Sequence, residues 1–214
     1  MPNSRATAAE FCKLCAQVSF VYNLYRSLFV SDASRLELYK AIAPFCFGAI
    51  NDFLVEYVLL QFSKITDPVN TGKHFNLTTN YILQKLDWPE EIRQKLEQIN
   101  ARLISFRKYI EPERSKRIAH IDRDAQLKGQ SLGGFPEGTD LQFLEDLQEF
   151  VAIANRYFNP GVHVSITVPG NDTFKLIRAL EKSVVFDRCS KCVASERNAA
   201  VLDYEIRTSG KKLR

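Results

Sequence analysis

The 214-residue chain is poor in the residues that punctuate a β-rich fold: glycine occurs nine times and proline eight. Sheets joined by tight turns draw heavily on both, so their scarcity points to helices. Long uncharged apolar runs are also missing. The nearest, Ala41 to Leu60, is interrupted by Asn51, Asp52 and Glu56, and falls short of a membrane span. The start, Met1-Pro2-Asn3-Ser4-Arg5, lacks the basic-then-apolar layout of a secretory signal. A soluble, cytoplasmic protein with no membrane partner is expected. Charge of one sign is not in marked excess: 29 Lys+Arg against 25 Asp+Glu give +4, which does not argue for an anionic partner by itself. There is no internal repeat, P-loop, dinucleotide-binding glycine pattern, Gly-x-Ser-x-Gly or HExxH.

What is present is apolar residues at helical spacing. The chain is 45% hydrophobic and 25% charged, an ordinary globular balance that excludes disordered and collagen-like classes. Phe11, Leu14, Cys15, Val18, Val21, Tyr22, Tyr25, Leu28 and Phe29 form one stripe of a helix over 5–29. Asp32 suits an N-cap for a second apolar element over 33–64, which Pro44 kinks or splits. Phe45 to Phe62 is apolar nearly all round, as in a helix central to a core or an oligomer interface.

Thr66 to His74 reads as a turn-rich loop, and Leu77 to Leu86 as a short helix. Pro89-Glu90-Glu91 opens a further helix to about Tyr109, because carboxylates in the first turn complement the helix dipole. Pro112 marks a restart, with a helix over 112–127. Gly129 to Gly138 is a glycine-rich loop. Thr139 or Asp140 then caps an amphipathic helix carrying Leu141, Phe143, Leu144, Leu147, Phe150, Val151, Ile153 and Ala154. Beyond Asn159-Pro160-Gly161, Val162, Val164, Ile166 and Val168 alternate like a strand, and Phe174 to Val185 returns to helical spacing.

The residues with most chemistry are Glu113-Arg114-Ser115-Lys116-Arg117-Ile118-Ala119-His120-Ile121-Asp122. Counting Arg123, four cations fall within ten residues around a histidine. Cleaving a phosphodiester without metal needs cationic donors where charge develops, and a group that moves protons near neutral pH. In RNA the 2′-hydroxyl supplies the nucleophile, so arginine and histidine can suffice. A charged, solvated helix face with a structural histidine accounts for the same residues.

Arg114, five intervening residues and His120 fit the R-x(4–6)-H signature of the HEPN superfamily. The run ERSKRIAHID, together with FSKITDPVNTGKHFNLTTNYIL over 62–83, resembles the HEPN domains of the AbiU2 type, over roughly residues 10–155. The order of elements is similar too. The resemblance implies an all-α helical bundle that pairs through its motif helices, building one composite cleft at a homodimer interface. It implies a metal-independent endoribonuclease, without cofactor, of phage-defence or toxin type, with Arg114 and His120 as catalytic residues. A regulatory partner or antitoxin is a further expectation of that type. Ser115 stands where the family most often has Asn, Asp or His.

On a straight helix six residues turn about 600°, which leaves Arg114 and His120 about 120° apart. Arg117, three residues before His120, shares its face and is a secondary candidate. Asp124, four residues beyond, is placed to orient the imidazole, or is a surface acid. Lys116 and Arg123 are candidates for RNA backbone contacts. The alternative to an enzyme is a non-catalytic helical module that binds RNA or protein through the same basic helix.

Two CxxC pairs, Cys12 with Cys15 and Cys189 with Cys192, are the remaining constellation, with Cys46 left over. They fit a tetrahedral zinc site that staples the C-terminal part to the first helix, but ordinary packing of small hydrophobes is the better reading. Asp52 and Glu56, four apart, read as the one solvated stripe of their helix rather than an acid/base pair. His74 and His163 have no partner in sequence. The expected architecture is mainly all-α: a HEPN-like bundle over 1–158, then an addition over 159–214 with a short strand, a helix and a basic tail.

Overall fold

The structure, a computed structural model, describes residues 3–30, 32–113, 135–162, 171–186 and 189–190. Helix α1 spans Ser4–Tyr25. It starts there because the Asn3 side chain accepts from the backbone N–H groups of Arg5 (3.1 Å) and Ala6 (3.3 Å), which have no partner within the helix. Its buried residues, Ala8, Phe11, Cys12, Cys15, Val18, Ser19 and Tyr22, follow three- and four-residue steps. The chain continues into a π-helical turn over Arg26–Val30. That wider turn rotates the side chains that follow, and Leu28 enters a second apolar cluster with Tyr39 and Ile177.

Helix α2 (Ser34–Ile42) and helix α3 (Pro44–Ile65) are separate, as Pro44 predicts. The residue before a proline is pushed out of helical backbone, and Ala43 sits at φ −156°, ψ 71°. Asp32 accepts from the Ser34 backbone N–H (2.9 Å) and hydroxyl (2.7 Å) at the start of α2. Both bonds stabilise its charge and hold its carboxyl below the usual range. After α3 comes a two-residue antiparallel hairpin, β1 (Asn70–Thr71) with β2 (His74–Phe75), turned by Gly72 at φ 62°.

Helix α4 (Thr79–Lys85) is capped by Thr78, whose hydroxyl accepts from the Tyr81 N–H at 3.1 Å. Helix α5 (Glu90–Glu113) buries Leu96, Ile99, Leu103, Phe106 and Ile110 at steps of three and four. The break expected between Tyr109 and Pro112 is absent: α5 runs through Pro112 to Glu113. A proline removes one bond, to the carbonyl four residues back. Here that residue is Lys108, on the exposed side, while Ile110 anchors the same turn in the core.

Helix α6 (Thr139–Phe158) packs against α1 and α5, and α3 packs against both of those helices. The expected cap at Thr139 or Asp140 does not form. Gly138 holds that position at φ 80°, Thr139 donates to the Pro136 carbonyl (2.6 Å), and Asp140 accepts from the Tyr22 hydroxyl (2.5 Å). A local turn has taken the Thr139 hydroxyl, and a tertiary bond the Asp140 carboxylate, that capping would have used.

Phe62 from α3 is the hub of the core, with ring centroids 4.4 Å from Phe143, 5.6 Å from Tyr22 and 6.0 Å from Phe106. Burying one such ring contributes about 1.5–3 kcal/mol. The Trp88 indole closes one side, donating to the Ile82 carbonyl at 2.9 Å, with ring centroids 5.3 Å from Tyr157 and 4.8 Å from Phe158, the latter edge-on.

Residues 171–186 are helical (α7), as the spacing from Phe174 predicts. This helix docks beside the π-turn: the Thr173 and Ser27 hydroxyls lie 3.1 Å apart and Ile177 is buried with Leu28 and Tyr39. Of the strand expected over Val162 to Val168 only Val162 is described, and it is exposed. The described residues thus form a helical bundle.

Helix α3 behaves differently in its two halves. Val58, Phe62, Ser63 and Ile65 are buried, whereas Phe45 is 93% exposed and Phe53 69%. By length and composition alone α3 is apolar enough to cross a membrane, though Asp52 and Glu56 interrupt its apolar run.

Candidate functional site

Arg114, Ser115, Lys116, Arg117, His120, Arg123 and Asp124 lie outside the described residues, as does the helix expected beyond Glu113. What is described is the platform that leads into them: the last turns of α5 and the Asp67-Pro68 loop after α3.

That loop is fixed from its own residues outward. The Thr66 hydroxyl donates to the Phe62 and Ser63 carbonyls (3.0 and 3.1 Å), satisfying the end of α3. The Asn76 amide donates to the Pro68 carbonyl (2.9 Å) and the Thr71 hydroxyl (2.7 Å), closing the hairpin. From α4, the Asn80 amide donates to the carbonyls of Thr66 (3.3 Å) and Asp67 (3.0 Å), and Asn80 itself accepts from Asn100 on α5 (2.9 Å).

Arg107 joins the loop to α5. One Nη donates to the Thr66 carbonyl at 2.8 Å, the other pairs with Asp67 at 2.9 Å, and Nε donates to Glu111 at 2.8 Å. Arg107 and Asp67 are largely buried, at 17% and 15% side-chain exposure. A planar guanidinium with donors in three directions suits this junction in a way that a lysine would not. It locks the α5 turn immediately before Arg114 against the end of α3.

Beside this junction is an open cavity of about 740 Å³ between the loop, α4 and α5. Asn70, Asn80, Gln84 and Lys108 supply amide groups and one exposed cation, while Val69 and Ile104 supply apolar wall. Arg107 and the Glu111 carboxylate line it as well, so the set can hydrogen-bond a polar group and offers charge of both signs.

A second cavity, of about 410 Å³, lies between α1, α3 and the start of α6, lined by Tyr22, Tyr25, Arg26, Phe62 and Asp140 among others. Burial, and then the hydrogen bond to Asp140, push the Tyr22 phenol well up from its ordinary value. That cavity is mostly apolar and sits away from α5's end.

Cys12 and Cys15 are buried in α1, where burial pushes the Cys12 thiol up to about 11; burial, and then the neighbouring Cys12, push the Cys15 thiol up as well. Cys189 is exposed and Cys192 lies outside the described residues. Among the described residues no cluster of three or more His, Cys, Asp or Glu forms. Asp52, Glu56 and His74 are all exposed, and His163 lies outside the described residues.

Residues 4–165 match the family model HEPN_AbiU2, described as AbiU2. The chain belongs to the HEPN_AbiU2 family. The matched span includes both the Asp67-Pro68 loop and the run from Glu113 to Asp122, so this HEPN domain is of the abortive-infection type. No curated protein and no solved structure matches the chain. The match ends seven residues beyond α6, before α7.

Within this HEPN_AbiU2 domain, sequence reasoning singled out the loop and the basic run but missed Arg107 and Asn80. The local pair Arg107–Glu111, four residues apart, was a readable signal. The partners Asp67 and Thr66, some forty residues earlier, were not.

Proposed function

We propose that this HEPN_AbiU2 protein is a metal-independent endoribonuclease of phage-defence or toxin type, with its site on the run after α5. One observation carries the reading: a single family match covers the Arg114 to His120 motif together with the loop that braces the helix leading into it.

In this reading His120 takes the proton of the 2′-hydroxyl as general base, or gives one to the leaving 5′-oxygen as general acid. A second copy of His120 takes the other role across a two-fold axis. Arg114 stabilises charge on the pentavalent phosphorus, with Arg117 in support. The 2′-oxygen bonds to phosphorus as the P–O5′ bond breaks, giving a 2′,3′-cyclic phosphate and a 5′-hydroxyl. Lys116, Arg123 and exposed Lys108 hold the RNA backbone.

The test is cleavage of transfer RNA and a messenger RNA in EDTA by wild type and His120→Ala. The expected result is cleavage by wild type alone, with 5′-hydroxyl ends. Cleavage by both proteins, 5′-phosphate products or strict magnesium dependence overturns it. RNA binding without turnover in either protein supports the module that binds without cutting, the reading that Ser115 favours.

A further inference from the structure

The chain from Pro68 to Leu86 holds no aspartate or glutamate, and its formal charges are Lys73 and Lys85. It folds into the β1–β2 hairpin and α4. In β2, Phe75 is 64% exposed, yet it is held in place. The Asn76 backbone N–H donates to the Val69 carbonyl at 2.8 Å, and the Asn76 amide closes the hairpin at Pro68 and Thr71. From α4, Tyr81 meets the ring edge-on at 6.0 Å, and the Lys85 ammonium lies 5.9 Å from its centroid. The pocket against the ring, of about 480 Å³, has Glu10 as its one carboxylate, and Glu10 pairs with Lys13 at 3.1 Å. An exposed ring on a fixed backbone, with cations beside it, is what stacks a nucleobase and draws its phosphates.

The position of the ring is a second, independent observation. Asn70 pairs across the hairpin with Phe75, and Asn70 also lines the 740 Å³ cavity together with Lys108 near the end of α5. On α4, Asn80 and Gln84 line that cavity, while Tyr81 and Lys85, one residue on from each, meet Phe75. The ring therefore stands one strand away from a cavity bordered by the helix that leads into Arg114.

We infer that the β1–β2 hairpin and α4 form a contact for single-stranded RNA, with an unpaired base stacked on Phe75 and neighbouring phosphates on Lys73 and Lys85. The inference rests on RNA being the substrate proposed above, and adds a contact outside the basic run. A duplex hides the faces of its bases, so unpaired RNA is the form that fits. The chain outside the described residues complements this patch poorly: residues 114–134 carry five Lys and Arg against two acids, and residues 191–214 six against three.

The experiment is fluorescence anisotropy on labelled single-stranded RNA, with His120→Ala as parent so that the RNA stays whole. Phe75→Leu keeps an apolar side chain without a ring face, and should weaken binding about fivefold or more. Phe75→Trp should bind at least as tightly as the parent, with its added emission quenched by RNA. Lys73→Ala should reduce the slope of log affinity against log salt by about 0.7, the share of one phosphate on a single strand. All three should melt within about 2 °C of the parent, because both positions are exposed. Equal affinity of Phe75→Leu and parent, or of duplex and single strand, overturns the inference. So does tighter binding of polyglutamate than of RNA, which assigns the patch to an acidic protein. Turnover by wild type beside unchanged binding of Phe75→Leu fails this inference alone. Binding that depends on Phe75, without turnover by wild type, fails the ribonuclease reading alone.

Discussion

Arg107→Ala should be the most destabilising change at a charged residue of α5. The substitution removes the donor to the Thr66 carbonyl, the ion pair with Asp67 and the bond to Glu111 together. Breaking one side of a buried pair costs about 3–5 kcal/mol. Asp67 keeps 15% of its side chain exposed, and Asn80 still donates to the Thr66 carbonyl, so about 2–3 kcal/mol is the reasoned loss. For a domain of this size that is a fall in melting temperature of about 4–12 °C. Urea unfolding read by circular dichroism measures it. Asp67→Ala, alone and combined with Arg107→Ala, completes a cycle in which the coupling should be about 1–3 kcal/mol. Exposed Lys108→Ala, one residue along, should stay within about 0.5 kcal/mol. A loss below about 0.5 kcal/mol for Arg107→Ala, or additive single variants, would refute the claim that Arg107 clamps α5 to α3.

Two other consequences follow from titratable groups. Burial and Asp140 raise the Tyr22 phenol above its ordinary 10.0, so the folded state favours the neutral form. That contribution is complete below pH 10 and is lost as pH rises past it. Wild type should therefore lose more stability between pH 9 and pH 11 than Tyr22→Phe, and equal losses in denaturant titrations would contradict the assignment. The thiols divide by exposure: Cys46 and Cys189 are exposed, while Cys12 and Cys15 are buried with their thiolates disfavoured. In native protein, Cys46→Ser should remove one fast-reacting thiol from an Ellman titration, and Cys12→Ser or Cys15→Ser none.

The elements were legible wherever one face of a helix is buried, because burial imposes a period of 3.6 residues on the apolar positions. The stripes of α1 and α6 and the helical spacing after Phe174 are of this kind. So was the division at Pro44, which acts on its own neighbour. Local signals failed where distant groups competed for the same atoms. Asp140 reads as a cap but bonds Tyr22, 118 residues away, and Pro112 reads as a break but sits in a helix that Ile110 anchors.

The motif from Arg114 to His120 and the loop at Asp67 were likewise visible as strings of residue types, and the family match spans both. The sequence by itself thus determined the helical class, most element positions and the family. Those depend on residues near one another in the chain. Only the tertiary structure decided that Arg107 joins α5 to the Asp67 loop, and that the apolar α3 is half core and half open face. Both are facts about which surfaces meet, and a hydrophobic or charged residue carries no mark of the partner that will cover it.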